Sequence, residues 1–146
     1  MSSSGAQLFG GNKSLETFYG GADITIPANV DTEIISLTIP AGKWKITAQI
    51  LPYTDGVVMV PIDTWIGPDS GSHAASYAAS SAVVGSLAAG TTYDFALMTY
   101  EANVTFAVAT TVYLNVAASA TGVKVTGTSY IHSIPNVTGI TAIPIA

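Results

Sequence analysis

Apolar and polar residues alternate with a period of two along most of this chain, the spacing of strands that turn one face to a core. Ile24 and Ile26 flank Thr25 before Pro27 ends the run. Ile35, Leu37 and Ile39 alternate with Ser36 and Thr38, and Pro40-Ala41-Gly42 then makes a turn. Beyond it Trp44, Ile46, Ala48 and Ile50 alternate with Lys43, Lys45, Thr47 and Gln49. This reads as a hairpin with Trp44 in the core and the lysines outward. Val57–Val60 and Thr64–Ile66 predict further strands, punctuated by Pro61 and Pro68. Residues 69–90 are small and polar and predict a long loop with a short strand at Val83 and Val84. Alternation resumes through Tyr93, Phe95 and Leu97, then Val104, Phe106 and Val108, then Val112, Leu114, Val116 and Ala118. Val123, Val125 and Ile131 close the series, set against Lys124, Thr126, Tyr130 and His132. About eight strands with turn signals at roughly ten-residue spacing predict an all-β sandwich or barrel. No stretch carries the helical period, so under about a tenth of the residues is expected in helix. No repeat suggests a propeller or solenoid.

The two ends break the pattern. Residues 1–22 read as an extended arm, Ser/Gly/Asn-rich and dotted with Leu8, Phe9, Leu15, Phe18 and Tyr19. Residues 135–146 read as an apolar tail carrying Ile140, Ile143 and Ile145. Its Pro135 and Pro144 argue against a place in a central strand. The tail is expected either to pack over the sandwich or to meet a neighbouring chain. The organisation is thus an arm (1–22), a sandwich (23–134) and a tail (135–146).

Composition narrows the function. Hydrophobic residues make up 49% of the 146, yet only 9% are charged, and there is no Cys and no Arg. The longest uncharged stretches interleave Ala, Ser and Gly, so no membrane-spanning helix is expected. A polar Met-Ser-Ser-Ser-Gly start gives no secretory signal. Four cations (Lys13, Lys43, Lys45 and Lys124) against nine acidic residues disfavour nucleic acid as a partner. Charge normally covers solvent-facing surface, so a chain this poor in charge is expected to cover some of it with other subunits.

Candidate chemistry is sparse. His73 and His132 are too few per chain for a tetrahedral metal site, unless a threefold axis gathers three copies of one. Asp55, Asp63 and Asp69 lie in a Gly/Pro-rich region and read as turn residues, with no Asp-x-Asp-x-Asp calcium loop. No Gly-x-Ser-x-Gly elbow or phosphate loop is present. No catalytic, cofactor or metal site is therefore assigned, and the protein reads as a non-enzyme. Trp44 and Phe95 fall on apolar faces. Tyr100, Tyr113 and Tyr130 read as lying on the polar phase, where a ring can bury area at a subunit contact while its hydroxyl keeps a partner.

Two segments carry a resemblance. Ile34-Ile-Ser-Leu-Thr-Ile-Pro-Ala-Gly-Lys-Trp-Lys-Ile-Thr-Ala resembles the strand, Leu-Pro-Ala-Gly-x-Trp/Tyr, strand signature of small jelly-roll domains on bacteriophage particles. Thr111-Val-Tyr-Leu-Asn-Val-Ala-Ala, with Gly122-Val-Lys-Val-Thr-Gly-Thr-Ser-Tyr-Ile-His-Ser-Ile, resembles their last two strands. Those domains are similar to the tumour-necrosis-factor and complement jelly rolls. The resemblance implies a jelly-roll sandwich, a homotrimer, and a place on the virion. The chain, starting with Met, is expected to be complete and to attach through its short arm. Capsid decoration on the outer surface, with the major capsid protein as partner, therefore ranks ahead of a fibre or spike tip that recognises a host-surface glycan. Leu8, Phe9, Leu15, Phe18 and Tyr19 are the expected capsid contacts. Tyr100, Tyr113, Tyr130, Ile140, Ile143 and Ile145 are the expected subunit contacts.

Overall fold

The computed structural model describes residues 13–54, 59–85, 94–129 and 133–145. These residues hold eleven strands and no helix: β1 (Leu15–Phe18), β2 (Ile24–Thr25), β3 (Thr32–Ile39), β4 (Gly42–Thr54), β5 (Val60–Gly67), β6 (Ala78–Val84), β7 (Asp94–Phe95), β8 (Met98–Phe106), β9 (Thr110–Ala118), β10 (Val123–Thr126) and β11 (Gly139–Pro144). They form two antiparallel sheets. One runs β3-β9-β5-β6. The other is organised around β4, which pairs with β8 and then β7 on one side, and with β11 and then β10 on the other. β1 adds to β11, and β2 to β10. Read as continuous lines, β1 with β2, β7 with β8 and β10 with β11 each make one strand broken once. The eleven pieces then reduce to the eight lines of a jelly roll.

The breaks fall at one level of β4, and its sequence says why. Pro52 lacks the N–H that a central ladder needs. Its carbonyl still accepts from Ala96 N (3.1 Å), at the gap between β7 and β8. One residue earlier, Leu51 N donates to the hydroxyl of Thr138 instead of a strand carbonyl (3.0 Å). Thr138 Oγ1 in turn donates to Thr126 O (2.6 Å), closing the gap between β10 and β11. One fully buried threonine thus satisfies the backbone where the chain leaves the sheet.

The core lies between the sheets. Trp44, Ile46, Ala48 and Ile50 of β4 meet Val112, Leu114, Val116 and Ala118 of β9 there, all buried. Val60, Ile62 and Ile66 of β5 join them, as do Val123 and Val125 of β10. For β4, β9 and β10 these are the inward phases read from the sequence.

Several expectations need correction. β3 and β4 are not a hairpin. β3 pairs with β9 and β4 with β8 and β11, so Pro40-Ala41-Gly42 turns a corner between sheets. Alternation marks which face is apolar, not whether two such faces lie side by side or across a core. Residues 15–18, assigned to the arm, form β1, with Leu15 and Tyr19 packed against the core. The tail is no appendage either: β11 sits between β1 and β4, and Ile140 and Ala142 are fully buried. Pro144 is tolerated because it is the last residue of its strand. The short strand expected at Val83 and Val84 is the end of the seven-residue β6, whose earlier part, Ala78–Ala82, reads as loop because its side chains are small.

Tyr100 is also misassigned. It shares the inward phase with Met98, Val104 and Phe106, and its hydroxyl pairs with Thr64 Oγ1 (2.8 Å) between the sheets. Burial pushes its pKa well above the ordinary 10.0, and the Thr64 hydrogen bond opposes this only in part. The unfolded chain therefore loses this proton first, and folding stability should fall as pH rises past about 10. Tyr100→Phe should weaken that alkaline loss at a neutral-pH cost of about 0.5–1.5 kcal/mol, read by chemical denaturation at pH 7 and 11. An unchanged alkaline slope would assign the loss to another group.

Candidate functional site

Loop 68–77, joining β5 to β6, folds back over the outer face of the β3-β9-β5-β6 sheet. Two side chains fix it there. Asn115, fully buried, accepts from Gly71 N through Oδ1 (2.9 Å) and donates to Asp69 O through Nδ2 (3.1 Å). Trp65, only 4% exposed although on the outward phase of β5, donates from Nε1 to Ser72 O (2.8 Å). An amide and an indole are easily covered when their polar atoms find backbone partners.

Beside the covered part the sheet is open. Asp63 of β5 stands in a cross-strand row between Ala117 of β9 and Ser81 of β6, and in the next row Trp65 lies between Asn115 and Ala79. Ala117 beside Asp63 and Ala79 in the next row leave room there, and the loop and the residues before β3 line it. The result is a groove of two adjoining cavities, each of about 290 Å³, that share Asp31, Asp63, His73 and Ala117. His73 Nδ1 is paired with Asp31 across the rim, with its ring edge-on to Trp65 at 5.7 Å. Ser81 Oγ donates to Asp63. Ser76, Ser80, Asn29 and Ser119 line the remainder.

Charge is unevenly spread. Asp31, Glu33, Asp63 and Asp69 belong to this face or its loop, and Ser70 donates to Glu33. All four lysines lie elsewhere: Lys43 and Lys45 in β4, Lys124 in β10, and Lys13 just before β1. Lys45 reaches Glu101 of β8 at 3.1 Å. The groove is therefore acidic while the opposite sheet is close to balanced.

An imidazole oriented by a carboxylate is half of a hydrolytic triad. Here the groove serine that has a defined partner, Ser81, gives its hydrogen bond to Asp63 and not to His73, so no Ser–His pair is formed by it. Among the described residues no three His, Asp or Glu side chains converge on a metal position. The groove's side chains can accept and donate hydrogen bonds.

The sequence-derived candidates are scattered. Leu8, Phe9, Tyr130 and His132 lie outside the described residues. Leu15 and Tyr19 face the core, while Phe18 lies on β1 opposite Gly139. Tyr113 faces outward on β9 opposite Ser36 and Gly67, half-buried. Ile140 is inside, and Ile143 and Ile145 are 44% and 40% exposed. The groove itself was missed, because Asp31, Asp63 and His73 are separated in sequence and meet only through the order of β3, β9 and β5. The one available signal was that Asp63 and Trp65 share the phase opposite to Ile62 and Ile66.

No protein-family model and no curated protein matches the chain. Solved structures similar to it include that of infectious bursal disease virus Gx strain, with a TM-score of 0.47 and 15% identity over 90% of this chain and 37% of that one. Another is infectious bursal disease virus Gt strain, with a TM-score of 0.44 and 14% identity over 92% and 38%. The infectious bursal disease virus VP2 subviral particle gives the same four values. The chain spans less than two fifths of the length of those chains. Nothing about partner or activity follows from a likeness this distant. What the chain's own strands define is an antiparallel jelly-roll sandwich carrying an acidic, hydroxyl-lined groove on one outer face.

Proposed function

We propose that this protein is a non-enzymatic decoration protein of a phage capsid, bound to the outer surface of the major capsid protein and assembled as a homotrimer. The observation that carries the reading is where the two ends of the sandwich meet. Leu15 opposes Ala142 and Glu16 opposes Thr141, so the start of β1 lies beside the end of β11. Exposed Ile143 and Ile145 therefore flank the point at which residues 1–14 reach the fold. We assign the capsid anchor to Leu8 and Phe9 of the N-terminal sequence together with these isoleucines, while Phe18 and Tyr19 belong to the strand and loop that follow. With Tyr100 inside, Tyr113 and Tyr130 are the tyrosines proposed for a subunit contact. The jelly-roll segments named from the sequence support the same role.

Each anchor side chain contributes roughly 1.5–3 kcal/mol if fully buried on docking, partly offset by ordering of a Gly-rich segment. Deletion of residues 2–12, which leaves β1 intact, and the double change Ile143→Ser with Ile145→Ser should each keep the strand-type circular dichroism spectrum. Each should weaken binding to undecorated capsids by about a hundredfold or more. Capsid binding at the original affinity in both variants would overturn the anchor. A monomer by light scattering would remove the trimer.

The groove favours a second reading, a fibre or spike tip that recognises a host-surface glycan. Binding of the intact protein to host cells but not to capsids would select it.

A further inference from the structure

We infer that the groove between loop 68–77 and the outer face of β5 and β9 is a binding site for a neutral saccharide. The inference stands whether the domain is a decoration protein or a fibre tip, because it rests on the groove alone.

The lining decides the ligand class. Each sugar hydroxyl both donates and accepts, so it needs acceptors and donors close together. Asp63 and Asp31 supply carboxylate oxygens, each with more lone pairs than its single partner, Ser81 or His73, takes up. Ser76, Ser80 and Asn29 supply groups able to donate and accept. The two joined cavities, about 290 Å³ each, fit one or two sugar rings. An ammonium or guanidinium group only donates and would leave the hydroxyls and amide unused. Acidic sugars are disfavoured by four carboxylates with no lysine on the same face. Preorganisation is the second element. Asn115 and Trp65 hold the loop through hydrogen bonds beneath it, so His73 and Ser76 line the same cavity as Asp63 before any ligand arrives.

The test is calorimetry and saturation-transfer NMR on the full chain, with neutral hexose oligosaccharides, sialylated and uronic-acid oligosaccharides, calcium ion, and an oligolysine peptide as probes. A neutral oligosaccharide should bind with a dissociation constant on the order of 1 mM or tighter. Asp63→Ala and His73→Ala should each weaken it roughly tenfold or more, whereas Lys45→Ala on the opposite sheet should not. Both groove positions are exposed, so circular dichroism should be unchanged. Binding by none of the neutral sugars, preference for oligolysine or calcium, or equal affinity in the groove variants would overturn the assignment. Capsid binding measured on the same variants separates the two proposals: loss of sugar with capsid affinity retained leaves the anchor standing.

Discussion

Trp44→Ala should lower the unfolding free energy by about 3–5 kcal/mol, a large share of what a domain of this size holds. Trp44 is fully buried and is the bulkiest fully enclosed side chain among the described residues. It sits in β4 opposite Val104 on one side and Pro144 on the other, where three strands meet. Its Nε1 donates to Pro40 O (2.9 Å), so the indole also pins the corner between β3 and β4. Truncation removes the transfer energy of the ring, leaves a cavity in a close-packed core and frees a carbonyl at the corner. Guanidinium denaturation measures it. A loss under about 1 kcal/mol would mean that the corner and core rebuild around the gap.

Gly127→Ala should be nearly as damaging for the opposite reason, excess volume. A Cβ there would stand 1.9 Å from Tyr19 O and 2.8 Å from Tyr19 C, both backbone. Neither can swing aside, because Tyr19 N is bonded to Thr138 O (2.8 Å) at the junction of β10 and β11. The chain after β1 must shift, at a cost of about 3 kcal/mol or more for this overpacking. Gly20→Ala is the control, with nothing within 4 Å of its added Cβ, and should change stability by about 0.5 kcal/mol or less. Equal stability of the two variants would show that Tyr19 is not held as described.

Much of the core was legible in the sequence because its strands have one apolar face. Trp44, Ile46, Ala48 and Ile50 are spaced by two, and so are Val112, Leu114, Val116 and Ala118; all are buried. Partnership was not legible. Nothing in Ile39-Pro40-Ala41-Gly42 tells a hairpin from a corner, since both need a turn. Tyr100 reads as lying on the polar phase, although Val104 and Phe106 continue its spacing and would have placed it inside. β11 was hidden by Pro144, whose effect is harmless at a strand's last position. The groove was hidden more deeply. Asp63 alternates like any outward polar residue, and only the fold brings Asp31 and His73 beside it.

The insertion of β11 between β1 and β4 sets an order of events as the chain is made. Residues 15–18 leave the ribosome well before their strand partner, residues 139–144, so one edge of β4 waits open until β11 appears. Such distant pairing places folding in the slow, millisecond-to-second range of all-β domains. Until then an unfinished subunit offers a bare edge and a risk of wrong pairing. The corner that unites Ile143 with the start of β1 forms in the same final step. Under the proposed anchor, only subunits in which β11 has docked would present that corner.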